Sequence, residues 1–306
     1  MPTHSRHARV NLLKTDVAAC ELELRRVFSL SPIRDPHVPD LLVFPPGCDL
    51  HDHRMVQDGR LILQGKSSCF PAAALDPKPG WTALDCCAAP GNKTMQLLER
   101  VAPTGLVVAN DGNPRRVDTL REALARHRRA AGETASLVVT CAMGQDIPVP
   151  AFGGSKTGAS EGAGTATRGY DAVLADVPCS GDGTLRKDPD VLKRWHPGLG
   201  NALHATQVAV ARNAAALVRP GGVLLYSTCS LNPVEDEAVV AAVLLGPGGE
   251  RFELADLVGA VGRGAGLAVG VQHAQRGARV HQPAQLVHRP RRTAHACLVY
   301  TSDAAA

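Results

Sequence analysis

Two cysteines and an aspartate in this sequence stand where strands run out into loops. Asp176 and Cys179 lie in Tyr170-Asp-Ala-Val-Leu-Ala-Asp-Val-Pro-Cys-Ser-Gly-Asp-Gly-Thr184, where the apolar run Ala172–Ala175 gives way abruptly to Pro178 and a Ser-Gly-Asp-Gly loop. A short apolar run bounded by turn residues reads as a parallel strand covered on both faces, and its carboxyl end is where open α/β sheets bind ligands. Cys229 repeats the arrangement, because the strand-like Val223-Leu-Leu-Tyr226 ends in Ser227-Thr-Cys-Ser230. Asn232-Pro-Val-Glu235 then carries helix-start signals, with Asn232 suited to the N-cap, Pro233 to the first helical position and Glu235 to a capping box. Cys229 is therefore expected in a tight strand-to-helix loop, at the same sheet edge as Cys179 and Asp176.

A cysteine taken alone is most often a small buried hydrophobe. Two of them beside an acid at one edge need a further explanation. A metal pair would want histidines at ligand spacing, which the sequence lacks. A disulfide is geometrically possible, but the nine scattered cysteines, with no signal peptide or long apolar span before them, point to a reducing interior. Nucleophilic thiol chemistry fits best. A thiolate adding to an electron-poor ring activates the neighbouring carbon toward an electrophilic methyl group, which splits one difficult step into two. A helix N-terminus close behind Cys229 would help to lower its pKa.

A second constellation lies upstream. Thr82–Leu84 reads as a strand stopping at Asp85, after which Cys86-Cys-Ala-Ala-Pro-Gly-Asn-Lys-Thr94 turns into a helix, Met95–Val101. Small residues with Gly91 let the backbone approach a ligand, and the helix start offers free N–H groups to an anion. The next strand, Leu106–Asn110, ends at Asp111, about 20 residues after the glycine, a spacing that suits a carboxylate accepting hydrogen bonds from two ribose hydroxyls.

The elements that must position these groups alternate regularly from Trp81 onward, as in a doubly wound, Rossmann-like parallel sheet. With 306 residues and 44% hydrophobic content, the chain can hold one large α/β domain and a smaller segment. The expected organisation is a small N-terminal lobe over 1–75, a catalytic domain over 76–257 and a low-complexity or disordered tail over 258–306. The Gly, Ser, Thr and Ala stretch 153–169 reads as a flexible insertion. At 3% aromatic residues, base-stacking platforms are nearly excluded as the main route to nucleic acid. The formal charge of +4 permits an RNA partner without demanding one. Arg115, Arg116, Arg121, Arg126, Arg128 and Arg129 read as a solvated helix face, whereas Arg186, Lys187, Lys193 and Arg194, beside the reactive loop, read as phosphate contacts.

Cys87-Ala-Ala-Pro-Gly-Asn-Lys93, Asp176-Val-Pro-Cys179-Ser-Gly and Tyr226-Ser-Thr-Cys229-Ser together resemble the Sun/Nop-type RNA (cytosine-5) methyltransferases, over about residues 9–257. The resemblance implies that Cys87, Ala88, Ala89, Pro90, Gly91, Asn92, Lys93 and Asp111 hold S-adenosyl-L-methionine, and that Asp176 serves both cofactor and target cytosine. It implies further that Cys229 is the nucleophile adding to C6 of the base, while Cys179 assists release of the methylated product by elimination. DNA cytosine methyltransferases use a Pro-Cys cysteine as nucleophile, so the second, Thr-Cys motif decides for RNA. Asp182–Lys187 and Cys229–Glu237 look like the branch that modifies tRNA, whereas Arg9–Thr15 and Asp40–Gln64 look like the branch that modifies large-subunit rRNA.

The expectation is therefore 5-methylcytosine formation on tRNA, with rRNA as substrate or a catalytically silent RNA-binding scaffold as alternatives. It extends to an intracellular monomer, nuclear or nucleolar if eukaryotic and otherwise cytoplasmic, with no membrane or metal partner. Two departures stand out. After the third strand, Leu137–Val139, the family usually has an acid near the adenine, and Met143 occupies its place, with Asp146 three residues later. After Leu257 the family would supply further strands, where this chain is rich in Gly, Ala, Arg and His, so the sheet is expected to lack its last strands.

Overall fold

The computed structural model describes residues 5–128, 135–150, 169–185, 188–254, 285–287 and 295–300. The N-terminal lobe comprises β1 (Arg6–Val10), α1 (Val17–Phe28), β2 (Ile33–Arg34), β3 (Leu41–Phe44), α2 (Arg54–Gln57) and β4 (Leu61–Leu63). Its strands form an antiparallel sheet in the order β2-β3-β1-β4. Leu24, Leu42, Phe44, Met55 and Leu61 fill its own small core. Polar bolts join it to the rest. The buried Arg9 donates from Nε to Gln64 Oε1 at 2.9 Å and pairs with Glu99, while Asn11 Nδ2 donates to Gly59 O at 2.7 Å and His127 O at 2.6 Å.

After α3 (Lys66–Leu75) come β5 (Thr82–Asp85), α4 (Asn92–Val101), β6 (Leu106–Asn110), α5 (Pro114–His127), β7 (Ser136–Thr140) and β8 (Tyr170–Asp176). Then follow α6 (Val191–Arg194), α7 (Pro197–Leu217), β9 (Val218–Thr228), α8 (Glu237–Leu244), β10 (Glu253–Leu254), β11 (Gln285–Val287) and β12 (His295–Tyr300). They build the doubly wound sheet, in the order β7-β6-β5-β8-β9-β12-β11-β10, with neighbours from β7 to β12 parallel. Ala172–Ala175 is fully buried, as a strand covered on both faces requires. One face carries Met95, Leu98, Leu120 and Leu124, the other Val210, Ala214, Leu217 and Val239.

The order reverses between β5 and β8, since the chain runs outward through β6 and β7 and then returns to the other side of β5. That switch point opens a crevice at the carboxyl ends of the strands. The carboxyl ends of β5, β6, β8 and β9 carry the residues that the sequence singled out.

Two expectations are corrected. The helix after Cys229 begins at Glu237 and not at Pro233, and Asn232 Oδ1 closes a turn by accepting from Val234 N at 3.1 Å. The sheet also does not end at β9, because β12 pairs in parallel with it from His295↔Val223 to Tyr300↔Thr228. The apolar Cys297-Leu-Val-Tyr300 suits a covered strand, a signal masked by its Gly, Ala and Arg-rich surroundings. The insertion, except Gly169, and the residues Arg129, Arg186 and Lys187 lie outside the described residues. Among the described residues no helix is long and apolar enough to cross a membrane, and no cluster of ligating side chains could hold a metal.

Candidate active site

The loops after β8 and β9 bring the two cysteines together. Cys179 Sγ lies 3.1 Å from Cys229 Sγ, and the Cys229 N–H also donates to Cys179 Sγ at 3.3 Å. Both are free thiols.

One side chain ties the two loops to each other. Glu235, fully buried, accepts from Ser180 N at 2.8 Å and Gln207 Nε2 at 3.0 Å through Oε1, and from the hydroxyls of Ser180 and Ser230 through Oε2. Gln207 on α7 donates in addition to Pro178 O at 2.9 Å, and Trp195 Nε1 donates to Ser180 Oγ at 3.1 Å. These donors outweigh burial and keep the Glu235 carboxyl below the ordinary glutamate range. Glu235 is thus not half of a capping box. Backbone bonds complete the frame, with Gly183 N donating to Cys229 O at 3.0 Å and Leu231 N to Asp182 Oδ1 at 2.8 Å.

The electrostatics separate the two thiols. A hydrogen bond from Cys179 lowers the Cys229 thiol below its usual range against the effect of burial, helped by the nearby Lys93 ammonium. The same bond, together with burial, pushes Cys179 far upward. Lys93 itself is held above the ordinary lysine range although burial opposes its charge, chiefly by Asp176. Its Nζ lies 2.9 Å from Asp176 Oδ2 and donates to Ser68 Oγ on α3 at 3.2 Å, while Ser227 Oγ donates to Asp176 Oδ1 at 2.6 Å. Asp176 and Lys93 pair with each other, and both charges act on the Cys229 thiol.

Asp111 stands at the other side of the crevice. Its carboxylate accepts from Ala89 N at 3.3 Å and Asn113 N at 3.0 Å, with Arg116 Nη2 3.3 Å away. Gly91 opens α4 at a φ of 113°, where a Cβ would lie 2.9 Å from Leu120 Cδ1. Glycine alone fits that turn without strain. A cavity of about 450 Å³ runs along this side, with Cys87, Asp111, Gly112, Met143 and Val210 among its lining. Of the turn 87–93, Cys87 meets the cavity, whereas Lys93 pairs with Asp176 and Ala88 and Ala89 are buried in the turn. Asp85, between the two sides, accepts from Thr94 Oγ1 at 2.7 Å, and burial raises its carboxyl to about 7 against that bond, with Asp176 adding to the rise.

Sequence reasoning missed Glu235 as a clamp, Gln207 and Ser68. The available signal was an acid six residues after Cys229, which fits a local capping pattern equally well. Lys193 and Arg194 are exposed and tied to Asp190 and Asp188, each at 2.6 Å.

The family model described as 16S rRNA methyltransferase RsmB/F matches residues 72–276, and the ferredoxin-like domain of NOL1/NOP2/Sun domain family member 5 matches 19–64. The 25S rRNA (cytosine-C(5))-methyltransferase NSUN5 of Arabidopsis thaliana is 37% identical over 78% of this chain and 40% of its own length. The multisite-specific tRNA:(cytosine-C(5))-methyltransferase of Saccharomyces cerevisiae is 40% identical over 61% of this chain and 26% of its own. The chain thus spans well under half the length of these curated relatives. A methyltransferase homolog from Pyrococcus horikoshii superposes with a TM-score of 0.63 at 25% identity, covering 82% of this chain and 72% of that one. The mixed resemblance read from the motifs has its counterpart in relatives of both kinds, an rRNA enzyme and a tRNA enzyme. With the RsmB/F model matching more than half of its length, and a methyltransferase-like sheet carrying both cysteine motifs at one edge, the chain belongs to the RsmB/F (Sun/Nop-type) methyltransferase family.

Proposed function

We propose that this chain methylates C5 of cytosine in RNA through a covalent bond between Cys229 and C6 of the base. The observation that carries the reading is the 3.1 Å contact between two thiols of opposite tendency, Cys229 toward thiolate and Cys179 toward thiol. A thiolate is the reacting form of cysteine. Its addition to C6 makes C5 electron-rich, and Lys93 and Asp176 stand beside the place where the ring would lie.

Cys179 suits the later step. Its proton is held by the hydrogen bond to Cys229 more than by any other influence. Once Cys229 is bonded to the ring, that acceptor is a neutral thioether, the hold on the proton relaxes, and Cys179, which is only half-buried, releases it to solvent. The Cys179 thiolate then takes the C5 proton, the electron pair restores the ring double bond, and Cys229 leaves as thiolate.

The cavity volume lies in the usual range for a small-molecule site, and Asp111 presents a carboxylate at its wall for ribose hydroxyls. These features fit S-adenosyl-L-methionine, with Cys87 and Asp111 touching it and the turn through Gly91 shaping its bed. When bound, it supplies an electrophilic methyl group.

The proposed substrate is tRNA, on the strength of Asp182–Lys187 and Cys229–Glu237, with the chain acting as a monomer. The match of residues 19–64 to the family member 5 lobe favours rRNA as a second reading, which in a eukaryotic cell goes with a nucleolar location. The test is labelled methyl transfer to purified tRNA and rRNA, followed by bisulfite sequencing. Discrete 5-methylcytosines in one pool support the reading. Binding of both cofactor and RNA without transfer would replace it with a silent scaffold.

A further inference from the structure

The two thiols of the site are placed to react with each other as well as with a substrate. Their Sγ atoms lie 3.1 Å apart, and a disulfide spans about 2.05 Å, so an approach of about 1 Å would bond them. The loops that carry them are already held together. Gly183 N donates to Cys229 O at 3.0 Å, and Glu235 accepts from Ser180 and Ser230, the residues that follow the two cysteines. Both cysteines are only half-buried, which leaves them open to a small oxidant.

The other thiols are placed differently. Cys20, Cys69 and Cys86 are buried, and burial pushes Cys20 and Cys69 up to about 12 and Cys86 well above its ordinary value. Cys141 is exposed, but among the described residues no cysteine sulfurs other than those of Cys179 and Cys229 are in hydrogen-bond contact. Cys229 leans toward thiolate, and a second thiol stands beside it. An accessible, low-pKa cysteine next to one that can resolve it is the arrangement of a redox sensor. Where thiols are kept reduced, the disulfides that do form are transient and either catalytic or redox-sensing.

We propose that hydrogen peroxide converts Cys179 and Cys229 into a reversible disulfide that switches the site off. The Cys229 thiolate attacks one peroxide oxygen, so that a sulfur–oxygen bond forms, the oxygen–oxygen bond breaks and hydroxide leaves. The sulfur is thereby oxidised to a sulfenic acid and the peroxide reduced. Cys179 then attacks the sulfenic sulfur. The sulfur–sulfur bond forms, the sulfur–oxygen bond breaks, and the Cys179 proton departs with the hydroxyl as water. A dithiol reverses the reaction by exchange and becomes a disulfide itself. The oxidised pair offers neither a nucleophile for C6 nor a base for the C5 proton. The disulfide rests on the geometry of the thiols, and its effect on turnover rests on the RNA methylation reading above.

The test treats the purified chain with hydrogen peroxide, alkylates the remaining thiols and reads the unreduced peptides by mass spectrometry, with labelled methyl transfer to RNA measured in parallel. The cross-link between Cys179 and Cys229 is expected to appear first, with transfer falling in step, and dithiothreitol should restore both thiols and transfer. Cys179→Ser should give no such cross-link and leave Cys229 as a sulfenic acid that dimedone captures. Cys229→Ser should slow oxidation at Cys179 by about tenfold or more, since each unit of pKa changes the thiolate fraction about tenfold. Melting curves without peroxide report folding of the variants, and the wild-type cross-link needs no variant. The proposal is overturned if the first cross-link joins another pair, or if Cys229 proceeds to sulfinic acid while Cys179 is still alkylated. It is equally overturned if transfer survives a completed cross-link. A cross-link in a protein that transfers no methyl group before treatment would overturn the methylation reading while the disulfide stands. Transfer with no cross-link overturns this inference alone.

Discussion

The two sides of the crevice are built on opposite plans. On the β8–β9 side the polar groups around the cysteines bond to one another, with Glu235 accepting from Ser180, Ser230 and Gln207 and Asp176 held between Lys93 and Ser227. On the β5–β7 side the cavity wall is largely apolar. The reacting groups are fixed before anything binds, which removes reorganisation from the chemical step. The difference teaches where substitutions should change rate and where they should change affinity.

The sharpest break of this contrast is at the cysteines, where loss should be complete. Cys229→Ala should abolish both methylated product and any covalent protein–RNA adduct. Cys179→Ala should instead trap the adduct through an intact Cys229, visible as a slow-migrating band on a denaturing gel, and the double variant should lose that band. Because the hydrogen bond from Cys179 is the leading cause of the low Cys229 pKa, the trapped band in Cys179→Ala should also form more slowly at neutral pH than at high pH. Adduct accumulating in Cys229→Ala and none in Cys179→Ala would reverse the two roles.

Next in size is the clamp. Glu235→Ala leaves Ser180 N without its acceptor and Gln207 Nε2 with Pro178 O alone, at about 1–3 kcal/mol for the unpaired amide, and frees the two loops to drift apart. A misplacement of about 1 Å costs on the order of 100-fold in rate, so kcat should fall by that order while the affinity for S-adenosylhomocysteine stays within about twofold. Glu235→Gln retains one acceptor and should recover part of the rate. A variant that lost cofactor affinity and kept kcat would erase the division between the two sides.

That clamp also marks the limit of what the sequence discloses. The alternation of strands and helices was legible because buried parallel strands are continuous apolar runs, such as Ala172–Ala175, cut by Gly and Pro turns. Both cysteines and Asp111 were legible for the same reason, since each sits at a strand's end. Glu235 was not. Its Ser180 partner is 55 residues away in the chain, while the local pattern from Asn232 to Glu235 satisfies a capping box by itself, so long-range acceptance overrode a valid short-range signal. Lys93 reads as part of a cofactor turn, yet it points across the crevice to Asp176, 83 residues on (176 minus 93), and to Ser68. Such contacts depend on the strand order β5-β8-β9, which spacing alone does not disclose.

On the affinity side the expected loss is smaller. Asp111→Ala removes the carboxylate proposed for the ribose hydroxyls and should weaken S-adenosylmethionine binding by about 1–3 kcal/mol, measured by calorimetry, with kcat at saturating cofactor little changed. Unchanged affinity would take Asp111 out of the site and leave the cavity to its apolar wall.

The most gradual effect, spread over several pH units, belongs to Asp85, at the seam between the two sides. Burial raises its carboxyl in the folded protein to about 7 from an ordinary value of 3.8, so between those values the folded state holds a proton that the unfolded chain has lost. The Asp85 contribution to stability should then be fully present below pH 4, fall by about 1.4 kcal/mol for each pH unit as pH rises toward 7, and level off above it. Asp85→Asn keeps an acceptor for the Thr94 hydroxyl and cannot ionise, so its stability should lack this slope and exceed that of the wild type above pH 7. Urea unfolding at pH 5, 6 and 7.5 reads the difference directly, because the other titrating groups are common to both proteins and cancel. Parallel pH profiles would mean that Asp85 is already ionised at pH 5. The Lys93 ammonium would then be shared between Asp85 and Asp176, and the seam would belong to the charged β8–β9 side.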